Sequence, residues 1–192
     1  MTARVVLLGP PGAGKGTQAV RLAARLGVPA ISTGDIFRTN VGEGTDLGRL
    51  AQEYMDSGAL VPDEVTNAMV RHRLAENDAI GGFLLDGYPR NVAQAGELDD
   101  TLNATGVVLD AVVEITANVD EVVTRLLLRA EIEGRADDTE PVIRHRMTVY
   151  SEQTAPLTAF YQVRGILVQV DGMGSVDEVT DRMVGALAAR LR

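Results

Sequence analysis

The stretch Gly9-Pro10-Pro11-Gly12-Ala13-Gly14-Lys15-Gly16-Thr17 lies between two segments of different period. Before it, Arg4–Leu8 is a short apolar run with adjacent valines, which reads as a buried strand. After it, Ala19, Leu22, Ala23 and Leu26 recur at helical spacing until Gly27, so Thr17–Leu26 is expected to be helical. A strand that passes through such a loop into a helix is suited to hold phosphate. The glycines let consecutive backbone N–H groups curl around an anion without side-chain clash. The helix N-terminus adds a partial positive charge, and Lys15 reaches toward terminal phosphates.

The same alternation continues outward. Val28–Ile31, Phe83–Asp86, Val107–Ile115 and Ile166–Val170 read as further strands. Helical patterns fall over Pro62–Glu76, Val92–Asn103, Val119–Arg129, Glu140–Arg164 and Val176–Leu191. Ser175 and Glu178 are spaced for a capping box on the last of these, and Pro156 is expected to kink the longest. The expected fold class is therefore α/β, a five-stranded parallel sheet with helices on both faces. Ligands in such sheets sit beyond the carboxyl ends of the strands. Gly9, Ser32 and Asp86 all lie at or just after such ends, so one shared cleft is implied. The segment 32–61 is too long for a simple connection and reads as a small helical insert over that cleft.

Composition narrows the possible partners. The chain has 192 residues, which suits a single domain with inserts, and 45% hydrophobic against 23% charged residues is a soluble balance. No apolar run is long enough to span a bilayer, and Met1–Leu8 lacks a basic n-region and a cleavage site, so a cytoplasmic protein is expected. The absence of cysteine excludes disulfides and argues against zinc. A formal net charge of −9 repels nucleic acid and anionic membranes, but leaves room for a small anion in a locally basic cleft. Lys15 is the only lysine, the other 17 basic residues being arginines. An overall preference for arginine accounts for the bias, but a tight loop that needs a compact point charge would also resist replacement.

Further motifs carry a resemblance. Gly16 follows Lys15 where Ser or Thr commonly serves Mg²⁺, and Thr17 comes one residue later. This Gly-Lys-Gly-Thr ending is the form of the nucleoside monophosphate kinases, and the chain resembles the adenylate kinases in particular. Ser32-Thr33-Gly34-Asp35-Ile36-Phe37-Arg38, Gly58-Ala59-Leu60-Val61-Pro62-Asp63-Glu64 and Asp86-Gly87-Tyr88-Pro89-Arg90 with Gln94 match that family's signatures in order. Gly134-Arg135-Ala136-Asp137-Asp138, Arg146 and Val170-Asp171-Gly172 complete the match over essentially the whole chain.

The resemblance implies a P-loop NTPase-type core over residues 1–192, an NMP-binding insert at 32–61 and a short lid loop at 129–138. It implies Mg²⁺-dependent phosphoryl transfer from ATP to AMP, giving two ADP, by a monomer. Gly12, Ala13, Gly14, Lys15, Gly16, Thr17, Arg125, Arg129 and Gly174 are then expected around ATP, with Arg125 stacked on its adenine. Thr33, Arg38, Ala59, Leu60, Val61, Gly87, Tyr88, Pro89, Arg90 and Gln94 are expected around AMP, with Arg135 and Arg146 bridging the reacting groups. Lys15, Arg90, Arg129, Arg135 and Arg146 form the expected catalytic set.

The residues fit that chemistry individually. A guanidinium fork binds two phosphate oxygens at once. Arg125 and Arg129 share a helix face, whereas Arg144 and Arg146 are two apart and cannot both face the cleft, so Arg144 is assigned to the surface. Asp86 is the candidate to hold the waters of Mg²⁺. A phosphate acceptor is already ionised at neutral pH, so neither His72 nor His145 is needed as a base. Thr33 and Gln94 favour AMP, whereas relatives acting on UMP or CMP tend to carry alanine and asparagine there. A UMP/CMP kinase is the alternative enzyme. A nucleotide-dependent switch would need no second nucleotide pocket. Ala130 stands where a glycine is common after the arginine, which implies a stiffer lid hinge.

Overall fold

The computed structural model describes residues 2–133 and 139–191. Its sheet has five parallel strands in the order β2-β3-β1-β4-β5, comprising β1 (Arg4–Leu8), β2 (Ala30–Ser32), β3 (Phe83–Asp86), β4 (Ala111–Thr116) and β5 (Leu167–Asp171). Successive residues of a strand serve opposite faces. Val5, Leu7, Leu84, Val113 and Ile115 join Leu22, Val179 and Met183 in one core layer, while Val6, Leu8, Leu85 and Val112 join Leu98, Leu157 and Tyr161 in the other. The three central strands are apolar almost throughout because both of their faces are covered.

Helix α1 (Lys15–Leu26) leaves β1 through the glycine loop and packs with α9 (Val176–Ala188) under one face. The other face is covered by α4 (Asp63–Leu74), α5 (Val92–Asn103) and α8 (Pro156–Val163). The insert is a helical hairpin, α2 (Thr33–Glu43) and α3 (Asp46–Ser57), closed by Phe37, Ala51 and Val61. Ser175 and Glu178 form the expected capping box on α9.

Several boundaries differ from expectation. β2 starts at Ala30, because Pro29 has no N–H to give the ladder and contributes only its carbonyl, to Leu84 N at 2.9 Å. β4 starts at Ala111 instead of Val107, since the Asp110 carboxylate takes the Arg4 N–H at 2.7 Å and ends the ladder there. α6 (Val119–Glu133) runs past Arg129, so residues 129–133 of the expected lid loop are helical, while 134–138 lie outside the described residues. The expected long helix over Glu140–Arg164 is split into α7 (Glu140–Val149), a π-helical turn at Tyr150–Thr154, and α8. Pro156 cannot donate a helical hydrogen bond, and the wider turn just before it closes through Ala155 N to Tyr150 O at 2.9 Å.

Candidate active site

The chain reverses direction across the sheet at β1, and a cavity of about 740 Å³ opens there beyond the carboxyl ends of the strands. The glycine loop forms its floor. Gly14 has φ of 90° at the N-cap of α1 and supplies no side-chain cap, so the first N–H groups of the helix face the cavity. Gly12, with φ of 81°, is packed against α6: a Cβ there would meet Leu126 Cγ, Val122 Cγ1 and Val122 O at 2.9 Å each. Ala13, Gly14, Lys15, Gly16 and Thr17 also line the cavity.

Lys15 is anchored on the loop that carries it. Its Nζ donates to Gly9 O at 2.7 Å and Pro10 O at 3.0 Å. Burial pushes its ammonium down to about 8, opposed by the nearby Asp86 carboxylate and aided by Arg90 and Arg129. Asp86, at the end of β3, is 8% exposed. Burial raises its carboxyl above the ordinary range, against the pull of Lys15 and Arg90. Its side chain accepts no hydrogen bond among the described residues, and it opens into the cavity beside Gly16.

A second group of cations faces this pair from across the cavity. Arg90 is held at three points: its Nε donates to Gly87 O at 2.9 Å, its backbone N–H to Gln94 Oε1 at 2.7 Å, and its carbonyl accepts from Thr154 Oγ1 at 2.7 Å. Burial, and the proximity of Arg146 and Arg38, press its guanidinium below the ordinary arginine range despite Asp86. Arg38 on α2 pairs with Asp35, and Arg146 on α7 reaches Met55 O at 3.4 Å. Arg125 and Arg129 enter from α6, and Arg125 Nη1 lies 3.4 Å from Gly172 O.

The two ends of the cavity differ. One is walled by Arg125, Gly172, Gly174 and Val176. The other contains Thr33, Ala59, Leu60, Val61, Gly87, Pro89 and Gln94. Thr33 is 1% exposed and spends its hydroxyl hydrogen on Gly87 O at 2.9 Å, so only its lone pairs remain for a ligand. The Gln94 amide is oriented by two partners, since Oε1 takes the Arg90 N–H and Nε2 gives to Asp63 Oδ1 at 2.7 Å. One hydrogen and one lone pair of the amide are left over.

The structure thus gathers nearly all the expected site residues around one cavity. Tyr88 is the exception. Its ring is 1% exposed in the core and its hydroxyl donates to Asn67 Oδ1 at 2.8 Å, since the turn that Gly87 makes at φ of 82° leaves Gly87 and Pro89 lining the cavity and sends the Tyr88 side chain into the core. Arg135, Asp137 and Asp138 lie outside the described residues. Arg144 is exposed and paired with Glu140, as its spacing from Arg146 demands, and both His72 and His145 are exposed away from the cavity.

Some supporting residues carried weak signals or none. Thr154 gains access to Arg90 only through the π-helical turn. Asp63 stood within a recognised motif, but only the tertiary structure shows that it orients Gln94 and Asn91. Gln18 could have been noticed as a polar residue one turn before Leu22 on the apolar face of α1.

Comparison with known proteins agrees with this geometry. The family model for adenylate kinase matches residues 7–166. The adenylate kinase of Kocuria rhizophila is 64% identical over 184 residues, covering 96% of this chain and 98% of its own length. That of Thermobifida fusca is 60% identical over 187 residues, covering 97% and 99%. That of a Nocardioides species is 62% identical over 184 residues, covering 96% of each. A match of this extent, on a chain that places a phosphate loop opposite a cluster of arginines, shows that it belongs to the adenylate kinase family.

Proposed function

We propose that this protein transfers the terminal phosphoryl group of ATP to AMP, giving two ADP, as a cytoplasmic monomer. The observation that carries the reading is one cavity with two unlike ends and cations converging between them. A donor with its phosphates on the glycine loop would place its base near Arg125 and Gly174. An acceptor with its phosphate at Arg38 and Arg90 would place its base near Thr33 and Gln94. Lys15, Arg129 and Arg146 would then surround the phosphoryl group in flight.

The chemistry asked of the protein is alignment and charge neutralisation. Arg90 is fixed before any ligand arrives, so little reorganisation is needed when negative charge develops beside it. The mutual repulsion of Arg38, Arg90 and Arg146 is relieved by the phosphates that they bind. The acceptor oxygen needs no base, being ionised already. Excluding water from the cavity protects the transferring group from hydrolysis.

A magnesium ion fits this site in one way. Among the described residues no cluster of three His, Asp or Glu side chains could hold a metal unaided. Asp86, a buried carboxylate open to the cavity and without a hydrogen-bond partner among the described residues, suits an ion that keeps most of its waters and is otherwise held by phosphates. Bound there, the ion would neutralise charge on the donor phosphates.

The acceptor base follows from hydrogen-bond polarity. Thr33 offers only lone pairs, which suit the 6-amino group of adenine and oppose the 4-carbonyl of uracil. Gln94 retains one donor and one acceptor, matching the adjacent amino and ring-nitrogen edge of adenine. A coupled assay of ADP formation from ATP with AMP, CMP or UMP, with and without Mg²⁺, tests the whole reading. AMP should give the highest rate; a higher rate with CMP or UMP would overturn it.

A further inference from the structure

The turn Gly172-Met173-Gly174-Ser175 joins β5 to α9 at the donor-base end of the cavity, and its backbone groups are almost all engaged. Gly172 N donates to Thr116 O at 2.8 Å, Met173 N to Asp171 Oδ1 at 3.0 Å, and Ser175 N to Glu178 Oε2 at 2.8 Å. The Arg182 fork takes the carbonyls of Asp171 and, at 2.8 Å, Met173. Gly174 is the residue of this turn whose N–H and C=O form no hydrogen bond among the described residues. It has φ of 105°, and a Cβ there would meet Glu178 Oε2 at 2.7 Å and Arg182 Nη2 at 3.0 Å. The guanidinium therefore lies directly against the free backbone segment.

A second brace ties this end of the cavity to the phosphate loop. Gln18, on α1 three residues after Lys15, is 3% exposed. Its Nε2 donates to Val176 O at 2.9 Å, and its Oε1 accepts from Thr180 Oγ1 at 2.7 Å, linking residues 162 apart in sequence. The helix that presents Lys15 and the helix that follows Gly174 are thus pinned side chain to backbone in the core.

We propose that Arg182 and the Gln18–Thr180 pair are positioning residues that hold Gly174 as a fixed donor–acceptor pair and so select an adenine over a guanine base in the phosphoryl donor. This rests on the phosphoryl-transfer reading above. Adenine presents an amino donor beside a ring-nitrogen acceptor, whereas guanine presents a carbonyl and a ring N–H in the corresponding places. A rigid backbone N–H and C=O matches one order and opposes the other; a loosened turn can rotate its peptide planes to accept either.

The test compares wild type with Arg182→Ala, Thr180→Val and Thr180→Ser. Each is titrated with ATP and with GTP alone, and then assayed with each donor at varied AMP. Arg182→Ala and Thr180→Val should lower the ATP-over-GTP preference roughly tenfold, the scale of one hydrogen bond. They should raise KM for ATP while KM for AMP stays within about twofold, and Thr180→Ser should restore the preference by returning the hydroxyl. An unchanged preference in both variants, or a KM for AMP that rises in step with that for ATP, would overturn the proposal. The titrations without AMP read the donor end directly. A wild type that bound ATP selectively yet formed no ADP would refute the proposed function while leaving this inference standing.

Discussion

Lys15 offers a direct reading of the electrostatics of the site, because it is the only lysine in the chain. An ordinary lysine titrates near 10.4 and is about 0.04% neutral at pH 7. With its ammonium pushed down to about 8, Lys15 is about 9% neutral at that pH, a gain of roughly 200-fold in the reactive form. An amine-specific reagent at limiting concentration should therefore label Lys15 much faster than a free lysine side chain, with a rate that levels off above pH 8. Peptide mass spectrometry separates this label from that on the chain's α-amino group. Saturating ATP should slow the labelling, since phosphates favour the ammonium and cover it. The sign of the linkage gives a companion result. Burial disfavours the charged form, so the site is poised to take up a proton when phosphate binds above pH 8. ATP affinity should be flat below that pH and fall above it, which calorimetry in buffers of different ionisation heat would read as proton uptake. Labelling of Lys15 that rose only near pH 10, or that ignored ATP, would refute both the buried cation and its contact with phosphate.

Other substitutions probe single contacts. Gly12→Ala would force a Cβ to within 2.9 Å of α6 at a positive φ, so a loss of more than about 2 kcal/mol in urea unfolding is expected, with ATP binding lost in step. Thr33→Ala removes the lone pairs offered to the acceptor base but leaves Gly87 O with its bond from Arg90, so kcat/KM for AMP should drop about tenfold while stability and KM for ATP stay near wild type. Tyr161 is buried and its hydroxyl has no partner among the described residues, so Tyr161→Phe should hold or raise Tm, and a loss of more than about 1 kcal/mol would contradict the environment described for it.

Local pattern carried far in this chain. The glycine loop was legible because its demands are local: positive φ at Gly12 and Gly14, an apolar strand before and an amphipathic helix after. The parallel sheet followed from alternation, and the arginines of the cavity from their place in ordered motifs. Even the outward position of Arg144 could be argued from its spacing to Arg146 on one helix. Membership of a motif does not fix where a side chain points: Tyr88 was expected beside AMP with its neighbours, and the turn at Gly87 sends its ring into the core.

Sequence alone determined the strand–loop–helix form of residues 9–17, because that stretch of nine residues contains most of the backbone geometry that an anion would require. Tertiary structure alone decided what holds that loop in register with the rest of the cavity. Thr154 meets the Arg90 carbonyl across 64 residues, Gln94 meets Asp63 across 31, and Thr180 meets Gln18 across 162. A hydrogen bond between distant residues has no periodicity and leaves no composition signal. It exists only once the sheet has brought its partners to about 3 Å.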